Sequence, residues 1–126
     1  MKALGKHLIV ELYGCSFERT NDPVQVEEIL IEAVKLSNAT IVKPVFHHFS
    51  PHGVSGVVVI AESHFTIHTW PEYGYCALDI FTCGDQIDSE GSLRFLKEAF
   101  HAHNLSVMEV QRGMLELPEG EVKHKP

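Results

Sequence analysis

The sequence predicts an α+β protein, a two-layer sandwich in which a mainly antiparallel sheet carries two helices on one face. Three observations lead there. Two segments repeat apolar residues at the spacing of one helix face. The other ordered stretches are short, rich in β-branched and aromatic residues, and bounded by Pro, Gly and Asn turns. Their order along the chain is β-α-β-β-β-α-β, and two helices packed on one such sheet bury the apolar faces of both layers.

The first strand covers residues 4–12, with Leu8, Val10 and Leu12 on one face and His7, Ile9 and Glu11 on the other. A loop over 14–21 leads to Asp22-Pro23, an N-cap followed by proline at the first helical position. Val26, Ile29, Leu30, Ala33 and Val34 then mark the buried face of a helix over 23–37, with Asn38 as its stop. Residues 40–49 form the second strand, and Pro51-His52-Gly53 turns the chain. A valine-rich third strand covers 54–62, and the chain continues extended over 65–70 until Pro71-Glu72-Tyr73-Gly74 breaks it. Residues 75–82 are a fourth main strand, closed by Cys83-Gly84-Asp85. Leu93, Leu96, Ala99 and Phe100 place a second helix within 87–104, capped by Asp88 or Ser89. A last strand follows over 105–111, and the polar tail beyond Gly113 is expected to fray.

In the third strand Val57, Val59 and Ala61 lie opposite Val58 and Ile60, so both faces are apolar. Strands of that kind are covered on both sides. The helices cover one side, and a homodimer packed through its sheets covers the other.

At 126 residues the chain makes one domain with a core of its own. A net charge of −7 argues against nucleic acid or an anionic membrane as partner, because both demand a basic surface. No apolar run is long enough to span a bilayer, and the N-terminus lacks a signal-peptide pattern. Cys15, Cys76 and Cys83 are odd in number and contain no CxxC pair, which points away from a disulfide framework and toward a reducing cytoplasm. His7, His101, His103 and His124 are taken as surface histidines.

The chemistry is concentrated in residues 46–84. Glu62-Ser63-His64 stands where the valine strand ends, with His68 and Cys83 downstream. Ser63 admits three roles: a polar turn residue, a hydrolase nucleophile with His68 as base, or a nucleophile that attacks its own chain. The second lacks the Gly-x-Ser-x-Gly elbow. His64, Thr66 and His68 share one strand face. A metal site built from His64 and His68 with His47, His48 or His52 lacks a clear carboxylate or cysteine to complete it. Cys83 is a thiol at a strand end, whereas Cys76 faces the opposite side and is taken as structural. Phe49 and Trp70, each beside a proline turn, suit the walls of a pocket for a flat base or a cation. Glu72 suits hydroxyls or a positive charge.

The stretch GVSGVVVIAESHFTIHTWPEYG at 53–74, TCG at 82–84, LGKH at 4–7 and EVQRG at 109–113 closely resemble the bacterial and archaeal S-adenosylmethionine decarboxylase proenzymes. The resemblance runs nearly to Gly113. It implies a chain that cuts itself between Glu62 and Ser63 into residues 1–62 (β chain) and 63–126 (α chain). Ser63 would become a pyruvoyl group, the cofactor that forms a Schiff base with the substrate amine and accepts electrons on loss of carbon dioxide. The resemblance also implies His68 as the proton acceptor in processing, Ser55 as support at the cut, and Cys83 as the proton donor in catalysis. It implies S-adenosyl-L-methionine as substrate, with Phe49, Trp70 and Glu72 as its candidate contacts, and no metal. The assembly implied is a homodimer of two α and two β chains, and the product is the aminopropyl donor for spermidine synthesis. The same machinery would also serve an arginine or ornithine decarboxylase. A non-catalytic relative, or a histidine-rich metal-binding module, would show no self-cleavage.

Overall fold

The computed structural model describes residues 2–84 and 86–116. Ten elements follow in order: β1 (Lys2–Tyr13), α1 (Phe17–Asn21), α2 (Pro23–Leu36), β2 (Ile41–His48), β3 (Val54–Ile60), β4 (Ser63–Trp70), a single 3-10 turn (Pro71–Tyr73), β5 (Tyr75–Cys83), α3 (Ser89–Ala99) and β6 (Asn104–Leu115). The strands form one antiparallel sheet in the order β2-β3-β4-β5-β1-β6. The α+β sandwich and its two main helices are as expected.

The core lies between the sheet and the helices. Leu8, Val10 and Leu12 of β1, Val26, Leu30, Ala33 and Val34 of α2, and Phe65, Ile67, Leu78 and Ile80 belong to one buried cluster. Full burial of a side chain such as Phe65 contributes about 1.5–3 kcal/mol. Asp22 caps α2 by accepting from the Val24 N–H at 3.0 Å, with Pro23 behind it. Asn38 follows the helix with φ 68, the left-handed conformation that stops a helix. Asp88 caps α3 through the Glu90 N–H.

Four boundaries differ from expectation. The segment 14–21 is not only loop: Ser16 caps a short helix, α1, whose Thr20 is buried. The second main helix is shorter than 87–104, and the last strand is longer than 105–111, reaching Leu115. Of the tail beyond Gly113, where fraying was expected, Met114 and Leu115 belong to the last strand, and residues 117–126, His124 among them, lie outside the described residues.

The fourth difference matters most. Residues 65–70 do not prolong β3. The chain reverses at Ala61-Glu62, and β4 returns antiparallel with Ile60 opposite Ser63 and Ser55 opposite His68. Periodicity cannot distinguish one long strand from two short ones when the loop between them is only two residues. Thr40 holds this hairpin, its carbonyl accepting from the Ala61 N–H at 2.9 Å and its N–H donating to Glu62 Oε1 at 3.0 Å.

The face away from the helices carries Val57, Val59, Ile9, Met108, His64, Thr66 and His68. Val59, Ile9 and Met108 are exposed. His7 lies here too. It is half-buried rather than a surface histidine, because its Nε2 lies 2.8 Å from Asp79 Oδ1.

Candidate active site

The Glu62–Ser63 peptide is held from two sides. The Glu62 side chain is tied to Thr40, and its backbone carbonyl accepts two hydrogen bonds from Cys83: the N–H at 2.9 Å and the thiol at 3.1 Å. Ser63 has φ 141, a conformation that non-glycine residues seldom adopt. Such a residue costs on the order of 1–3 kcal/mol, which the surrounding contacts must offset. The Ser63 Oγ lies 4.0 Å from the Cys83 Sγ. Two donors on one carbonyl oxygen draw electron density from its carbon and meet the negative charge that nucleophilic addition would create. These features set a hydroxyl and a thiol beside a polarised peptide carbonyl.

A second cluster sits at the other end of β4. Ser55 Oγ is 2.7 Å from His68 Nδ1, across the β3–β4 pairing. Beside it lies a cleft of about 300 Å³, lined by Phe49, His52, Gly53, Ser55, His68, Thr69, Trp70 and Glu72. Phe49 and Trp70 are 48% and 40% exposed, so their rings are free to take a flat ligand. Trp70 is braced by Tyr75, stacked at 5.4 Å. Glu72 sits on the 3-10 turn, with His52 Nε2 3.7 Å from its carboxylate. The cleft floor is fixed by Thr69, whose hydroxyl donates to the Thr20 carbonyl at 2.7 Å and accepts from the Val54 N–H at 2.8 Å. Asn21 Oδ1 accepts from the Gly53 N–H.

The structure therefore groups the sequence-derived residues in two sets. Glu62, Ser63 and Cys83 are together, and so are Ser55, His68, Phe49, Trp70 and Glu72. It does not bring Ser63 to His68 within one chain: five residues of extended strand separate them by roughly 16 Å. Thr40, Thr69 and Asn21 were not foreseen, because their work is done through backbone partners remote in sequence. His52 was noted only as a possible metal ligand. Among the described residues no group of three or more His, Cys, Asp or Glu side chains is disposed to hold a metal ion. Cys76 is fully buried.

Comparison with known proteins matches this arrangement to a family. A profile of the family "S-adenosylmethionine decarboxylase" matches residues 6–113. The S-adenosylmethionine decarboxylase proenzyme of Moorella thermoacetica is 51% identical over 119 residues, covering 94% of this chain and 95% of that protein. The proenzyme of the same name from Acidithiobacillus ferrooxidans is 49% identical over 129 residues, covering 100% and 97%. The crystal structure of the adenosylmethionine decarboxylase from Aquifex aeolicus superposes with a TM-score of 0.86 at 32% identity, covering 96% of this chain and all of that one.

Proposed function

The chain belongs to the S-adenosylmethionine decarboxylase family, and from that premise we propose that it cuts its own backbone at Glu62–Ser63 and then decarboxylates S-adenosylmethionine. It is a carboxy-lyase, and the names of its relatives favour that substrate over arginine or ornithine. The observation that carries the self-cleavage reading is the Glu62 carbonyl, gripped by both the N–H and the thiol of Cys83 next to a strained serine.

The Ser63 hydroxyl adds to the Glu62 carbonyl carbon, and the oxygen that becomes negative already faces its two donors. The C–N bond then breaks, the Ser63 nitrogen takes a proton, and an ester links the two halves. A base removes the Ser63 α-proton, and elimination releases the Glu62 carboxylate as the end of residues 1–62. The dehydroalanine left at the start of residues 63–126 hydrolyses to a pyruvoyl group and ammonia. That group supplies a carbonyl that captures the substrate amine and takes up the electrons freed by loss of carbon dioxide. Cys83 holds a proton within reach and returns it to the substrate carbon.

His68 is the base and acts from the partner subunit, a reading that the roughly 16 Å between it and Ser63 along β4 supports. A homodimer through the open sheet faces, with the two sheets running in opposite senses, sets the partner subunit's Ser55 and the partner subunit's His68 beside Ser63. It also covers the exposed Val59, Ile9 and Met108. Phe49 and Trp70 then wall the adenine and sulfonium, and Glu72 takes the ribose hydroxyls. The test is an intact mass of fresh protein. Two fragments are expected, the larger-numbered one beginning with an amine-free, carbonyl-reactive residue 63, and carbon dioxide release from S-adenosylmethionine but not from arginine or ornithine. A chain that stays whole on long incubation, or release from the other amino acids, overturns the reading. Sedimentation showing a monomer would remove the shared site.

A further inference from the structure

Cys15 and Cys76 have no part in this mechanism, yet they are placed together. They are 9% and 0% exposed and belong to the same core cluster, with the Cys76 thiol near enough to act on the Cys15 thiol. The backbone enforces the approach. Leu12 pairs with Cys76 and Tyr13 with Tyr75, and just past that register the Cys15 N–H donates to the Gly74 carbonyl at 2.8 Å. Gly14, with φ 72, makes the turn between them. The packing at Gly74 is close: a β-carbon there would lie 3.2 Å from the Cys15 carbonyl oxygen and 3.3 Å from its nitrogen.

Position in the chain is what makes the pair consequential. Cys15 precedes the Glu62–Ser63 bond and Cys76 follows it. We propose that Cys15 and Cys76 form a thiol-exchange site for small-molecule disulfides, and that the disulfide it yields joins the two halves of the self-cleaved chain. The second clause rests on the cleavage reading above, and the first does not.

The exchange has two steps. Cys15, at the rim of the core, enters as thiolate. The hydrogen bond from Cys76 holds its pKa below the ordinary thiol range, while that same bond and then burial push Cys76 up. Cys15 attacks the small disulfide, forming a mixed disulfide and expelling one small thiol. With the charge on Cys15 gone, Cys76 gives up its proton more readily and attacks the Cys15 sulfur, expelling the second small thiol. Two protein thiols are oxidised, and one disulfide is reduced to two thiols. In a reducing compartment such a link is transient and responsive to redox state.

The test treats purified protein with glutathione disulfide, alkylates the remaining thiols and measures intact mass without reductant. The expected product is one species whose mass is the sum of the two fragments less two hydrogens, plus the group added to Cys83, parting into two on reduction. Cys15→Ser and Cys76→Ser should each leave separate fragments. Uncut Ser63→Ala protein, where no fragments exist, should lose two hydrogens and two alkylatable thiols. Both cysteines still alkylated after Cys83 has reacted would overturn the proposal, as would a lasting glutathione adduct on Cys15 beside a free Cys76. A reduced control that remains one chain instead refutes the cleavage reading, and the two-hydrogen loss then decides the thiol pair by itself.

Discussion

The two ends of β4 are built differently. At Ser63 the key groups gather on one peptide: a carbonyl held by an N–H and a thiol, a carboxylate tied to another N–H, and a strained φ. At His68 the key groups are side chains: a hydroxyl–imidazole pair, two exposed rings and a carboxylate around an open cleft. The contrast is the one that the proposed cleavage and substrate binding would require. Chemistry on the chain itself needs a peptide bond that cannot relax away from its nucleophile. Recognition of a small ligand needs exposed surfaces and a few placed polar groups.

The largest effect should come from the Ser63 end. Ser63→Ala is expected to abolish both cleavage and turnover, seen as a single chain by mass and no carbon dioxide release. A cut chain would mean the backbone-held end is not where the chemistry begins. Next is the relation between the ends. His68→Ala alone should slow cleavage by roughly 10²–10⁴-fold, the usual worth of a positioned base. Co-expressed with Ser63→Ala, however, the His68→Ala chain should be cut, since its Ser63 meets an intact partner subunit's His68. If neither chain is cut, the ends act within one protomer or not at all.

Cys83→Ala separates two uses of one residue. Its N–H still faces the Glu62 carbonyl, so cleavage should slow but proceed, while turnover per cut chain falls by about 10²-fold for want of a proton donor. Slowed cleavage with unchanged turnover per cut chain would place the thiol in processing alone. Phe49→Ala and Glu72→Gln should leave cleavage untouched and raise KM roughly tenfold, or about 1.4 kcal/mol of binding. An unchanged KM would take the cleft out of substrate binding.

The smallest effect concerns the bracing of Trp70. Burial, and then its hydrogen bond to Glu11, push the Tyr75 hydroxyl up to about 12 from the ordinary 10.0. The folded protein thus binds this proton more tightly than the unfolded chain. Its contribution to stability is full below pH 10 and lost as pH rises toward 12. Melting temperature followed against pH should show this alkaline decline, and Tyr75→Phe should weaken it. An identical decline in Tyr75→Phe would assign it to other groups.

Much of this was legible in the chain. Asp22-Pro23 marked a helix start because a carboxylate cap and a donor-free proline satisfy the same exposed backbone ends. The alternation in β1 marked the buried face, since period two is a property of extended backbone. Ser63, His68 and Cys83 were identifiable by their context in residues 53–84. Thr40, Thr69 and Asn21 were not, because a side chain or backbone group that serves a distant peptide leaves no local pattern. The surface role expected of His7 failed for the same reason: its partner, Asp79, is 72 residues away.

Local order and residue chemistry belong to the sequence: which segments are helix or strand, which face is apolar, and which side chains can attack, accept or return a proton. These follow from spacing and functional groups, which neighbours along the chain suffice to define. The tertiary structure decided where β3 ends and β4 begins, that Cys83 grips the Glu62 carbonyl, that Cys15 meets Cys76, and that Ser63 and His68 stand at opposite ends of one strand. Each depends on how strands pair and in what register, and register is settled only when the sheet closes over its core.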